Sequence, residues 1–273
     1  MRFRRRVQKH FSDGDNLIFT WAVACDVIAH FLGEKWVRKN LNPKAGNPYF
    51  LMTASDDGSV AGYLRQHRVI TLGFRLFDLQ AVPGFSDAIV GIQSRTLEAA
   101  VAELVAVTRL RDAGHQVRFV TPSGVKGADY DAEAKIQGLS VAIEVKAKEE
   151  FGAEGYRDKS LVNKLKKASA QVPSGGPSLV FLQLPSDWVS IPGICRSIDS
   201  TVRTWLGTSG RVNAVILIFD QRVPGKTGRM ALAGGYHVIP NLRPRVRLRN
   251  ILDILGNAPT RIIRVNSEPS RRA

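Results

Sequence analysis

Two aspartates, a glutamate and a lysine with spacing that could do chemistry stand in GADYDAEAKIQGLSVAIEVKAK, the run from Gly127 to Lys148. Each half alternates polar and apolar residues, the pattern of two strands with one packed face and one polar face. A turn centred on Gln137-Gly138 sets Asp131 opposite Glu144, Asp129 opposite Lys146 and Glu133 opposite Ala142. The other face then collects Tyr130, Ala132, Ala134, Val141, Ile143 and Val145. A slip of one residue would turn one strand's charges into the core, so the alternation fixes the register. Carboxylates on facing residues, with β-carbons about 4.5–5.5 Å apart, repel one another. A hard divalent ion with oxygen ligands, Mg²⁺ or Mn²⁺, relieves that repulsion. Two readings follow: a metal-dependent active site, or a solvated face on which Asp129 and Lys146 form a surface ion pair. Asp129 is a second ligand in the first reading and only an ion-pair partner in the second.

The elements that must position these groups can be read on either side. RTLEAAVAELVAVTRLRDAG is rich in alanine and leucine, has no internal breaker, and ends on Gly114 after a turn carrying Arg109 and Arg111. That is a helix with a glycine C-cap and basic residues at its negative end. On it, Glu103 has Ala99, Ala100, Ala106 and Val107 as neighbours at three and four residues, so its carboxylate is either partnered or costly. It is a candidate acid aimed toward the sheet, or a buried glutamate with a lysine partner. HQVRFV is a strand, DKSLVNKLKKASAQV a second helix, PSLVFLQLP an apolar strand, CRSIDSTVRTWLG a helix and NAVILIFD another apolar strand. Continuous apolar runs mark strands covered on both faces. The expected architecture is α/β with a mixed sheet, an antiparallel meander followed by strands joined through helices.

Residues 1–90 read as a mostly helical region broken at NPKAGNP and VPGF, residues 91–240 as the domain carrying the site, and residues 241–273 as a basic C-terminal segment. Asp26, His30 and Glu34 fall at helical spacing and read as a polar stripe. In a chain of 273 residues with only Cys25 and Cys195, a core without disulfide staples is expected, and with it a reducing, cytoplasmic compartment. The most apolar stretch, NLIFTWAVACDVIAHFLG, carries Asp26 and His30 and falls short of the roughly 20 unbroken apolar residues of a membrane span. MRFRRR meets Asp13 and Asp15 before any apolar run, unlike a signal peptide.

A formal net charge of +15 points to a polyanionic partner, DNA or RNA. The candidate phosphate contacts are Lys126 and Lys148 beside the carboxylates, Lys164, Lys167 and Gln171 on the second helix, and Arg245 and Arg247 in RPRVRLR. An extended RPRVRLR would set its arginines on one side, as a phosphate-tracking strip requires. No phosphate-loop, dinucleotide, nucleophile-elbow or Cys/His metal motif is present.

An acid at the end of the second strand, then Glu-x-Lys on the third, here Asp131 and Glu144-Val145-Lys146, resembles the PD-(D/E)XK, or restriction-endonuclease-like, nucleases. RLRDAGHQVRFVTPSG also looks like the helix end, strand and loop of archaeal Holliday-junction resolvases. The resemblance runs from about Arg95 to Pro185, with Tyr130 where the family's name has proline. It implies an αβββαβ core, hydrolysis of DNA phosphodiester bonds, and dimers in some members. It also implies a Mg²⁺ ion, with Mn²⁺ as substitute, held by Asp131, Glu144 and the Val145 carbonyl, Glu103 joining it or holding a second ion. Lys146 would orient the attacking water or stabilise charge on the phosphoryl oxygens. A protein of this fold that only binds nucleic acid is the alternative.

Overall fold

The computed structural model describes residues 17–42, 46–50, 58–121, 123–125, 127, 129–147, 156–185, 188–189, 191–224 and 230–256. Four helices come first: α1 (Leu17–Leu32), α2 (Glu34–Asn40), α3 (Gly58–Leu79) and α4 (Phe85–Ser94). Gly33, at φ 90, separates α1 from α2. Asp26 and His30 therefore share a helix that Glu34 does not join, and Glu34 pairs with Arg38 at 2.8 Å on α2. The polar stripe is split between two helices. Cys25 and Cys195 are both free thiols.

The long helix follows as α5 (Leu97–Asp112), stopped at Gly114 with φ 87. Then come β1 (Gln116–Phe119), β2 (Ala132–Ile136), β3 (Leu139–Ala147), α6 (Asp158–Gln171), β4 (Ser178–Gln183), α7 (Ile194–Leu206), β5 (Ala214–Pro224) and β6 (Met230–Pro240). They form one six-stranded mixed sheet in sequence order. β1, β2 and β3 are an antiparallel meander, β3, β4 and β5 run parallel, and β6 returns antiparallel along β5. β6 had no expectation behind it, because Gly234 and Gly235 interrupt its strand pattern.

The β2–β3 register is the one the alternation requires, Ala132 opposite Ile143 and Glu133 opposite Ala142. Its two-residue turn places both Gln137 (φ 54) and Gly138 (φ 78) in the left-handed region, matching the twist of the strands. Gln137 is held there by a reciprocal pair with Arg249: its amide donates to the Arg249 carbonyl at 2.6 Å and accepts from the Arg249 N–H at 3.0 Å.

Helices cover both faces. Ala132, Ala134, Val141, Ile143 and Val145 pack into a core with α1, α3, α4 and α5, whereas Ala142, Val180 and Leu182 pack with α6 and α7. Tyr130 corrects the expected apolar face. The ladder stops at Ala132, and Tyr130 packs on the α6–α7 side with its hydroxyl 3.3 Å from Glu133 Oε2.

RPRVRLR bends at 242–243 and 245–246 instead of extending as a strand. Its exposure still alternates: Arg243, Arg245, Arg247 and Arg249 are exposed, Pro244 and Val246 half-buried, Leu248 buried. The Asn213 amide holds the Val246 carbonyl at 2.5 Å.

Candidate active site

The site forms where β3 reaches the C-terminal edge of the sheet beside the start of β2. Asp131 sits in the bend before β2, and its N–H donates to the Ile143 carbonyl at 3.0 Å, which continues the hairpin by one more bond. Its Oδ2 accepts the Val145 N–H at 2.7 Å. Val145 thus anchors Asp131 through its N–H, a bond that leaves its carbonyl's expected part as a ligand untouched.

Glu144, on β3, is completely buried. Its Oε1 takes a short hydrogen bond from Lys146 Nζ, while Oε2 is buried with no hydrogen-bond partner among the described residues. Burial, and then the charge of Asp131, pushes Glu144 up to about 8; the Lys146 ammonium opposes the shift. Lys146, two residues along the strand, is a quarter exposed and faces the opening.

Glu103 arrives from α5, where its apolar neighbours bury it to 6% exposure. Its partner is Arg95, which donates from Nη1 at 2.5 Å and Nη2 at 2.8 Å in a fork matched to the carboxylate. The same Nη1 lies 3.8 Å from Asp131 Oδ1. Burial and Asp131 raise Glu103 to about 7, against the pull of Arg95. Asp131 is raised as well, by burial, with the Val145 N–H, Lys146 and Arg95 opposing. Glu103, Asp131, Glu144 and Lys146, named from sequence on one helix and two strands, therefore meet in one place.

Arg95 is the functional candidate that sequence reading missed. In the chain it looks like a border residue beside Glu98, and its pairing with Glu103 depends on the break between α4 and α5 at Arg95-Thr96. It lines a cavity of about 340 Å³ with Asp87, Glu103, Thr121, Asp129 and Asp131.

Asp129 shares that cavity but is not the partner of Lys146. Its Oδ1 accepts from the Ser123 hydroxyl at 2.9 Å and from the Ser123 and Gly124 N–H groups at 2.7 and 2.9 Å. These bonds, that of the Ser123 hydroxyl first, hold Asp129 below the usual carboxylate range. Gln171 donates to the Asp129 carbonyl at 3.2 Å, which ties the loop to α6.

Among the other proposed phosphate contacts, Lys164 and Lys167 line an open basic cleft with Arg157, Lys159, Ser160 and Asn163. Lys164 Nζ reaches the Ala147 carbonyl at the end of β3, so this cleft adjoins the carboxylates. Arg245 lies elsewhere: its N–H donates to the Gly210 carbonyl at 2.8 Å just before β5, at the end of the sheet remote from Lys146, and Arg247 is two residues on. Lys126 and Lys148 lie outside the described residues.

The oxygen donors fit a hard divalent ion. Three buried carboxyls, with Asp131 raising the proton affinity of both Glu103 and Glu144 and one buried oxygen unpartnered among the described residues, make a site that a cation would suit. As they stand, no three His, Cys, Asp or Glu side chains among the described residues converge to hold a metal, and Arg95 stands between Glu103 and Asp131. No helix among the described residues is long and apolar enough to cross a membrane. No protein-family model, no curated protein and no solved structure matches this chain.

Proposed function

We propose that this protein is a metal-dependent nuclease hydrolysing DNA phosphodiester bonds on a restriction-endonuclease-like αβββαβ core, here α5-β1-β2-β3-α6-β4. The observation that carries the reading is Glu144, a fully buried carboxylate with one oxygen unpartnered, beside Asp131 and within reach of an ammonium two residues away. Such a group is costly unless something of opposite charge arrives.

Asp131 and Glu144 would hold Mg²⁺ or Mn²⁺, with Glu103 completing the set. When bound, the ion supplies Lewis acidity to the scissile phosphate and lowers the pKa of a bound water. The chain does the rest. The Val145 N–H keeps Asp131 aimed at Glu144, so the two carboxylates stay together without a lysine between them. Lys146 turns from Glu144 to the phosphoryl oxygens, where its ammonium stabilises the charge that builds up on hydrolysis. For Glu103 to join such a set, Arg95 would have to give up its pair with it. The cleft of Lys164, Lys167, Arg157 and Lys159 holds the substrate's backbone and reads no sequence.

Incubating the protein with linear, supercoiled and branched DNA tests the proposal. Cleavage should require Mg²⁺ or Mn²⁺ and disappear in Glu144→Ala and Lys146→Ala with the fold intact. Wild-type cleavage in both variants would sink it. One observation favours a rival, a nuclease-like fold that only binds nucleic acid: Arg95 already pairs with Glu103 and lies 3.8 Å from Asp131. If a Mn²⁺ titration gives no heat, and DNA binding is metal-independent and steeply salt-dependent, the rival stands.

A further inference from the structure

A second cavity, of about 60 Å³, lies between α3, α5 and the C-terminal ends of β4 and β5. It has no part in the reaction proposed above. Arg68 and Arg75 reach it from α3 and Arg109 from α5, with Gln183, Asp220 and Gly234 on the sheet side. The described lining holds three guanidiniums and two carboxylates, Asp220 and Glu98.

Arginine keeps its charge and its donors, so a guanidinium N–H that is buried without an acceptor calls for one from outside. The donors show where one would sit. Arg68, 7% exposed, is satisfied: it donates to the Tyr49 carbonyl at 2.6 Å and stacks 4.9 Å from the centre of the Tyr49 ring. Arg75 and Arg109 are not, because each buries its Nε without a hydrogen-bond partner. Arg109 spends only Nη2 on the chain, 3.3 Å from the Gly234 carbonyl. Burial and then the neighbouring Arg109 hold Arg75 below its usual proton affinity, with Asp220 and Asp112 opposing.

The floor is kept open by glycine. A Cβ at Gly234 would stand 3.0 Å from Arg109 Nη2 and 3.6 Å from Asp220 Oδ1. Two guanidinium forks facing one cavity can each meet two oxygens, and a tetrahedral oxyanion such as phosphate has enough oxygens for both where a carboxylate does not.

We propose that this cavity is a phosphate-binding site, with Arg75 and Arg109 supplying the direct contacts and Arg68 the fixed wall. The anion is either free orthophosphate or the phosphoryl group of a nucleoside monophosphate, and both offer the same oxygens to the arginines. Calorimetric titration of the whole metal-free protein with orthophosphate, in chloride buffer at constant ionic strength, should show saturable binding. Arg75→Met should weaken it at least tenfold, Arg109→Lys should weaken it less, and Lys164→Ala and Lys167→Ala should leave it unchanged. Tighter binding of a nucleoside monophosphate than of orthophosphate would assign the source to nucleotides, and the reverse to the free ion. Absence of heat with both ligands on the wild-type chain overturns the proposal, whether or not Arg75→Met folds. So does binding that survives Arg75→Met but is lost in Lys164→Ala, which would place the anion in the basic cleft.

Discussion

The two cavities that flank α5 leave opposite kinds of buried group without a partner among the described residues, an acceptor at one and donors at the other. Around Glu103, Asp131 and Glu144 three carboxyls share Arg95 and Lys146, and a buried oxygen goes unpartnered. Around Arg68, Arg75 and Arg109 three guanidiniums gather, and two buried Nε atoms go unpartnered among the described residues. Elsewhere the described buried polar groups find their bonds within the chain: Asn213 ties Ser178 to Val246, and Asn241 ties Ser209 to Val212. Folding tolerates a missing partner at few places, and those are where a ligand can act as one. A metal at one cavity and an oxyanion at the other would close both accounts without moving the backbone.

The largest effect should come from the acidic side. Replacing Glu144 or Lys146 by alanine should reduce DNA cleavage roughly 10²–10³-fold, the scale of removing one transition-state contact. The double variant should be scarcely worse than either single one, because residues acting as a unit are not additive. Rates measured at saturating Mg²⁺ decide it. Independent, multiplying losses would mean the two side chains do not serve one event.

Next in size is the dependence of stability on pH. Glu144 has its folded value pushed up to about 8 from an ordinary 4.5. Between these values the folded chain binds a proton that the unfolded chain has lost. The contribution to stability is therefore fully present below about pH 4.5 and is lost as the pH rises through about 8. Melting curves of the metal-free protein should fall across that window, and Mn²⁺ should flatten the fall. Glu144→Gln, which carries no charge to bury, should flatten it too and gain roughly 1–3 kcal/mol at pH 8 while losing activity. A Glu144→Gln variant that melts lower than wild type at pH 8 would show that the carboxylate is satisfied after all.

Arg95→Gln should act more modestly. It removes a forked, charge-assisted pair from Glu103, about 1.5–3 kcal/mol for a buried group, and less here because Arg95 is 41% exposed. Divalent ion should restore most of the loss and bind more tightly than to wild type, since Arg95 no longer stands in the gap. Equal Mn²⁺ affinity in both proteins would place the ion away from Glu103 and Asp131.

The contrast also separates what the sequence makes readable from what it hides. Asp131, Glu144 and Lys146 are local: they lie on two strands joined by a two-residue turn, and strict alternation plus the left-handed pair Gln137-Gly138 forces their register. Glu103 is readable because a helix of alanine and leucine leaves an acid nowhere polar to go. Arg95 is not, since its bond to Glu103 spans the break between two helices. The arginine cavity is less readable still, for Arg68, Arg75 and Arg109 belong to α3 and α5 and only packing brings them together. The parallel strands announce themselves as apolar runs, but β6, with two glycines, does not. In RPRVRLR the alternation survives as exposure while the backbone bends, because Asn213 and Gly210 pull it against the start of β5.

The smallest expected effect concerns the one place where local reasoning went astray. Extending the ladder past Ala132 puts Asp129 against Lys146, yet the chain bends at Asp131 to let its carboxylate take the Val145 N–H. Asp129, two residues earlier, is turned toward Ser123 and Gly124 and spends one oxygen on three donors there. Its work is then to shape the rim of the cavity, which an amide oxygen can do nearly as well. Asp129→Asn should keep cleavage close to wild type and leave Mn²⁺ affinity unchanged, while Asp131→Asn loses both. If Asp129→Asn instead matches Asp131→Asn in both measurements, Asp129 is a ligand, and the negative cavity extends one residue pair further than the hairpin that builds it.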